Sequence, residues 1–201
     1  GRSQTSVDTL GGMCQGGGCY GRIMGETPTV PPERIVMSAS VEDVLAAAEP
    51  WPRTRAMVPE DIPWLAEAVW ELFPHVAPFT DWDAVVDLTQ RMFRGELGDF
   101  MPVASPVALT DDGYIAGALA SVGRFTGRPD APDCPYILAC LTLPDHRRKG
   151  VAAGLLAAAA RAAKAVGESR LALTVDEPND AARALYARHG FVEEARLPAW
   201  A

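Results

Sequence analysis

No apolar run in this chain is long enough to cross a bilayer; the longest, within Gly154 to Val166, is cut by Arg161 and Lys164. No charged-then-apolar leader with a cleavage site opens it, and position 1 is Gly rather than Met, which points to processing or an expression remnant. The cytoplasm is the expected compartment. Basic residues are the minority, 18 Lys and Arg against 26 Asp and Glu, leaving a formal charge of −8. That excludes the basic footprint nucleic acid requires and is compatible with a cationic partner such as an amine. Cysteine and histidine are sparse. Cys14 and Cys19 stand at C-x-x-x-x-C spacing with no histidine near them, so a zinc site is not expected, while a disulfide between them stays open. Cys140 lies in an apolar run and reads as a buried thiol. Neither G-x-x-x-x-G-K-[ST] nor G-x-G-x-x-G occurs, which removes the P-loop and the dinucleotide fingerprint.

What is present amounts to one domain with an extension. Up to about Pro32 the chain is rich in Gly, Ser, Thr and Pro, with too few apolar side chains to offset the entropy of ordering them. Arg34 to Met37 suits a short strand and Ser40 to Ala48 a short helix, with Ser40 as N-cap and Pro50 and Pro52 beyond it. Residues 1–52 are therefore read as an extension and 53–201 as the main domain.

In that domain Thr54 to Val58 suits a strand. Ile62, Leu65, Ala66, Val69, Trp70 and Phe73 recur at helical spacing, and Val85, Val86, Thr89 and Met92 mark a second helix from about Trp82 to Phe93. Val103 to Leu109 and Tyr114 to Arg124 flank the turn signal Asp111-Asp112-Gly113. A strand Tyr136 to Leu143, a helix, a strand Ser169 to Val175, a helix Ala181 to His189 and a strand Phe191 to Arg196 complete the pattern. The order β-α-α-β-β-β-α-β-α-β indicates an α/β or α+β domain with a mixed sheet.

The stretch that carries chemistry is PYILACLTLPDHRRKGVAAGLLAAAARAA. Its strand ends at Pro144, and Arg147-Arg148-Lys149-Gly150-Val151-Ala152 leads straight into an alanine-rich helix. The first N–H groups of a helix lack internal partners and the macrodipole adds positive charge there, so this junction can cradle an anion as large as a pyrophosphate. Gly150 and Ala152 admit it to the backbone, and three basic side chains surround it. The plainer reading is a basic helix start on a solvated face.

The segment R-x-x-G-x-A, Arg147 to Ala152, resembles the pyrophosphate loop of the GNAT superfamily of acetyl-CoA-dependent N-acetyltransferases. A second match, N-x-x-A-x-x-L-Y-x-x-x-G-F, is filled by Asn179, Ala182, Leu185, Tyr186, Gly190 and Phe191. The resemblance covers roughly Arg53 to Arg196. It implies a mixed sheet flanked by helices, with parallel fourth and fifth strands that splay apart. It implies acetyl-CoA as cosubstrate, the pantetheine arm lying along Cys140, Leu141 and Thr142, and Tyr186 as general acid to the leaving thiolate. Core packing is the alternative for Tyr186, and Asn179 either contacts the cofactor or caps its helix. The acidic base that many relatives carry on the fourth strand is missing, and Asp133, Asp145 and His146 have no motif behind them.

Acceptor recognition in such folds lies between the first two helices and in the third-to-fourth-strand connection. Here those are Phe73 to Trp82 and the segment around Thr126 to Pro135. His75, Phe79, Asp81 and Trp82 form either an aromatic pocket with an acidic anchor for an amine or a cap on the core. The implied reaction is acetyl transfer to a primary amine of a small molecule or peptide by direct attack. A noncatalytic acyl-CoA-binding module is the alternative, and a homodimer is compatible with either. The family normally ends in two strands after the second motif, the last inserted between the fifth and sixth, whereas Phe191 is followed by ten residues. Either the N-terminal extension or a neighbouring subunit is expected to cover that position, or the missing strand lies beyond the sequence given.

Overall fold

The computed structural model describes residues 33–73 and 81–198. The chain enters through β1 (Arg34–Ser40) and α1 (Val41–Ala47), then β2 (Thr54–Ala56), α2 (Ile62–Leu72) and α3 (Trp82–Phe93). A meander of β3 (Pro106–Leu109), β4 (Ile115–Val122) and β5 (Tyr136–Thr142) follows, then α4 (Val151–Ala165), β6 (Arg170–Asp176), α5 (Asp180–Arg188) and β7 (Val192–Leu197). The strands form one mixed sheet of seven in the order β2-β3-β4-β5-β6-β1-β7, in which β5 and β6 are parallel. Because β1 leads the numbering, the fourth and fifth strands of the resemblance are β5 and β6.

The local signals act as their chemistry dictates. Ser40 caps α1 by accepting from the Asp43 N–H at 3.0 Å. The turn at Asp111-Asp112-Gly113 closes with the Thr110 N–H donating to the Tyr114 carbonyl at 2.8 Å and Gly113 at φ 84°. At the start of α2, Asp61 accepts from both Nη atoms of Arg55 at 2.7 Å and from the Val58 N–H at 2.9 Å. The carboxylate is only 5% exposed, and burial alone would raise its pKa; the Arg55 and Val58 contacts reverse that and hold it below the ordinary value.

One placement departs from the division of the chain at residue 52. The strand expected at 34–37 runs on to Ser40 and lies inside the sheet, antiparallel to β6 on one side and β7 on the other. It stands in the position the sequence leaves empty between the penultimate and last strands. Ile35, Met37 and Ala39 point into the same core as Leu155, Leu171 and Tyr186. The Gly-rich residues before it, with Cys14 and Cys19, lie outside the described residues.

The sheet separates two cores. One face carries α1, α4 and α5 over Ile137, Leu171, Leu173 and Val175; the other carries α2 and α3 over Val107, Tyr136, Leu141 and Ala172. Alanines on α4 let it lie close to the sheet. At Gly154 even a β-carbon would come within 2.6 Å of the Trp51 nitrogen. Trp51 in turn donates its Nε1–H to the Leu109 carbonyl at 2.8 Å, locking α4 in place over β3. Among the described residues no helix is long and apolar enough to cross a membrane.

Candidate active site

β5 and β6 begin together and then part. They share two register pairs, Tyr136 with Ala172 and Ile137 with Leu173, and none beyond. The next residue of β5, Leu138, is the extra one at a register shift against β4, where Ala120 faces Ala139 and Ser121 faces Ile137. A bulge of this kind bends and twists its strand. The bend therefore begins where the parallel pairing stops, and the edge of β5 from Leu138 to Thr142 faces a gap instead of a strand. Unpaired strand backbone of this sort is a template for another chain or an extended ligand. Cys140, Leu141 and Thr142 all lie along it, and the Thr142 hydroxyl is buried with no hydrogen-bond partner among the described residues.

Below the gap, a short 3-10 turn (Pro144–His146) joins β5 to the loop before α4. Arg148 has φ 60° and Gly150 φ 88°, two left-handed residues flanking Lys149. Such alternation turns successive N–H groups toward one side, forming an anion nest continuous with the free first-turn N–H groups of α4. Among the described residues no side chain caps α4 and a β-carbon on Gly150 would meet nothing within 4 Å, so the approach is open. Arg147, Arg148 and Lys149 are exposed, and Arg147 Nε reaches the Thr142 carbonyl at 3.4 Å. Val151 is buried against the sheet while Ala152 is half-exposed at the helix start.

Tyr186 rises from α5 on the α4 side of the gap. It is 7% exposed, packs against Phe191 at 5.6 Å between ring centroids, and neighbours Cys140. Burial first, then Cys140, pushes its phenol well above the ordinary value, and burial pushes the Cys140 thiol up to about 12. The upward shift favours the protonated phenol. No hydrogen bond to its hydroxyl occurs among the described residues.

The remaining candidates divide. Asn179 caps α5, its Oδ1 accepting from the Ala182 N–H at 3.1 Å. Asp81 likewise caps α3, accepting from the Asp83 N–H at 3.0 Å, and is exposed. Trp82 is 41% exposed and meets Trp70 edge-on at 6.0 Å. His75 and Phe79 lie outside the described residues. Asp133 is held by Arg124 at 2.5 Å, and Asp145 is exposed in the turn after β5. A cavity of about 410 Å³ between α5, β1 and β7 is lined by none of these residues. No group of His, Cys, Asp and Glu that could hold a metal occurs among the described residues.

The other side of the gap holds residues that no motif marks. Thr174 and Asp176 extend β6 beyond its last pair with β5, and Asp176 faces Arg34 across the β1 ladder. Tyr136 and Thr174 share a hydrogen bond between their hydroxyls. Burial raises the Asp176 carboxyl despite Arg34. Nothing local in sequence brings these together; the pairing of β6 with β1 and with β5 does.

A family model described as Acetyltransferase (GNAT) family matches residues 63–191, spanning α2, the meander, the nest and α5. The chain belongs to that family. Among solved structures, a GCN5-related N-acetyltransferase from Sphaerobacter thermophilus is 22% identical with a TM-score of 0.59, over 83% of this chain and 50% of that one. This chain thus spans about half the length of that relative. An aminoglycoside N-acetyltransferase in complex with CoA is 20% identical, TM-score 0.57, over 74% and 93% of the two chains. A putative acetyl transferase from Pyrococcus furiosus is 19% identical, TM-score 0.57, over 74% and 99%. At these identities the likeness is one of fold. No curated protein matches the chain.

Proposed function

We propose that this GNAT domain is an N-acetyltransferase that moves an acetyl group from acetyl-CoA to a primary amine of a small molecule or peptide in a ternary complex. The observation that carries it is the juxtaposition of an unpaired strand edge, an open anion nest and a buried phenol at one gap in the sheet. Residues Arg147 to Ala152 hold the pyrophosphate through backbone N–H groups and charge. The edge of β5 at Cys140, Leu141 and Thr142 takes the pantetheine amides, and the buried Thr142 hydroxyl gains a partner there. Acetyl-CoA supplies an activated carbonyl. The parted strands hold the amine against it, and much of the rate enhancement in such a reaction comes from that positioning. Tyr186 gives its proton to the departing sulfur.

The test is a panel of amines against acetyl-, propionyl- and succinyl-CoA, read by mass spectrometry and thiol release, with Tyr186→Phe in parallel. The ring packing against Phe191 survives that substitution and only the donor is lost. Turnover should fall by about 10²–10⁴ while acetyl-CoA affinity is unchanged. Because the phenol is shifted upward, wild-type turnover should show no falling limb from Tyr186 up to the ordinary tyrosine value near 10. Acyl-CoA binding with no transfer to any amine would leave the domain an acyl-CoA-binding module.

A further inference from the structure

Arg128 is the one charged side chain of the β4–β5 connection whose guanidinium is buried and left without a hydrogen-bond acceptor. Its Nε and both Nη atoms are buried with no hydrogen-bond partner among the described residues, and its side chain is 17% exposed. Its recorded ion pair, Nε to Asp130 at 3.5 Å, involves a carboxylate that is itself 64% exposed. Buried donors without acceptors are costly, and a buried cation more so. Its surroundings carry charge of both signs. Arg34 stands within electrostatic reach, and burial first, then the charge of Arg128, lowers the Arg34 pKa. Tyr136 feels both guanidiniums. Against them stands Asp176, opposite Arg34 in the ladder.

The position is as telling as the charge. Arg34 and Asp176 point to the face of Ala172, the α2 and α3 side of the sheet, since residues alternate along β1 and β6. Tyr186 and Cys140 belong to the opposite core. Both groups border the same gap. Arg128 acts electrostatically on Arg34 and Tyr136, and so belongs to the α2 and α3 side of that gap.

We infer that Arg128 receives a carboxylate of the acceptor, so that the substrate is an amine that is also an acid, such as an amino acid or a short peptide acid. The planar guanidinium fork suits a bidentate carboxylate, and the acceptor's own oxygens supply what the buried nitrogens lack. This rests on the acyl-transfer reading for the amine end alone; the carboxylate site stands on Arg128.

The experiment compares the common amino acids with their carboxamides, both as acetyl acceptors and as ligands by calorimetry, in wild type and in Arg128→Gln. In wild type at least one acid should exceed its amide by about ten- to a hundredfold, the scale of hydrogen bonds to a charged group. Arg128→Gln should bring that acid down to its amide while acetyl-CoA still raises the thermal midpoint. The unliganded midpoint of this variant should hold or rise, because a buried guanidinium without hydrogen bonds has gone; a structural arginine would give the opposite. Arg128→Lys, keeping charge without the fork, should recover part of the preference. Acids that bind through Arg128 but accept no acetyl group would sink the transferase reading and leave the carboxylate site standing. Equal use of acids and amides by wild type, or a preference that survives in Arg128→Gln, overturns the inference. Loss of the acetyl-CoA shift in Arg128→Gln would assign the arginine to the cosubstrate and overturn it equally.

Discussion

Strand β6 has two neighbours and treats them oppositely. With β1 it forms seven consecutive register pairs, from Arg34 with Asp176 to Ser40 with Arg170; with β5 it forms two and then departs. The closed seam buries Ile35, Leu171, Leu173 and Val175 and holds the sheet together. The open seam exposes backbone, a buried phenol and a cluster of charge. A gap in the centre of a sheet gives up hydrogen bonds and apolar contact, so the strands around it must be secured elsewhere. Here the security comes from a strand contributed by the N-terminal side of the domain.

The sharpest way to break that comparison is to remove the closed seam. Deleting residues 1–40 takes away β1, leaving β6 and β7 with unfilled edges and the α4 core without Ile35 and Met37. Expression in the insoluble fraction, or the absence of a cooperative thermal transition, is the expected outcome. The milder version is Ile35→Ala. That side chain is 1% exposed, and truncation should cost about 2–5 kcal/mol by chemical denaturation. A deleted chain that melts like the full one would mean that β1 merely decorates the sheet.

The open seam is tested through its anion nest. Gly150 at φ 88° has free space above it, so Gly150→Glu strains one backbone position and adds bulk and negative charge without disturbing the core. Acetyl-CoA at a hundredfold over its dissociation constant should stabilise wild type by about 2.7 kcal/mol, and the variant by none of it. An undiminished thermal shift in the variant would detach the nest from cosubstrate binding.

The two seams also differ in how far the sequence discloses them. Helix and strand limits could be read because caps, prolines and periodicities act within a few residues: α3 spans Trp82–Phe93 as its pattern predicts, and Ser40 caps α1. The nest was equally legible, since Arg147 to Ala152 is a contiguous segment. The sheet order was legible only as an unfilled position, which the N-terminal extension or a neighbouring subunit was expected to cover. Arg34 to Met37 looks like a strand in isolation, but its place between β6 and β7 depends on partners at the far end of the chain. The charged cluster at the open seam was harder still. Arg34, Arg128, Tyr136 and Asp176 come from four segments, and only long-range pairing makes them neighbours. The segment around Thr126 to Pro135 was marked as a site for recognition, yet nothing local singles out Arg128 from its exposed neighbours. Asp81 shows another limit: an acidic residue next to an aromatic suggests an anchor for an amine, and the structure adds a second role, its Oδ1 capping α3.

The smallest effect separates two roles that meet in one residue. Asn179 Oδ1 accepts from the Ala182 N–H, so the side chain stabilises the start of α5, the helix that carries Tyr186. Losing the cap in Asn179→Ala should cost about 1 kcal/mol. Asn179→Asp restores an oxygen in the same place and adds favourable charge at the helix N-terminus, so stability should return to the wild-type value or slightly above. The amide nitrogen, which donates no hydrogen bond among the described residues, is the part that Asp lacks. Calorimetric titration of acetyl-CoA into the Asp variant therefore isolates it. With capping as the whole role, affinity in Asn179→Asp matches wild type, and this is the expected result. A stable Asp variant with affinity reduced about tenfold would instead mean that the amide reaches across the open seam to the cosubstrate.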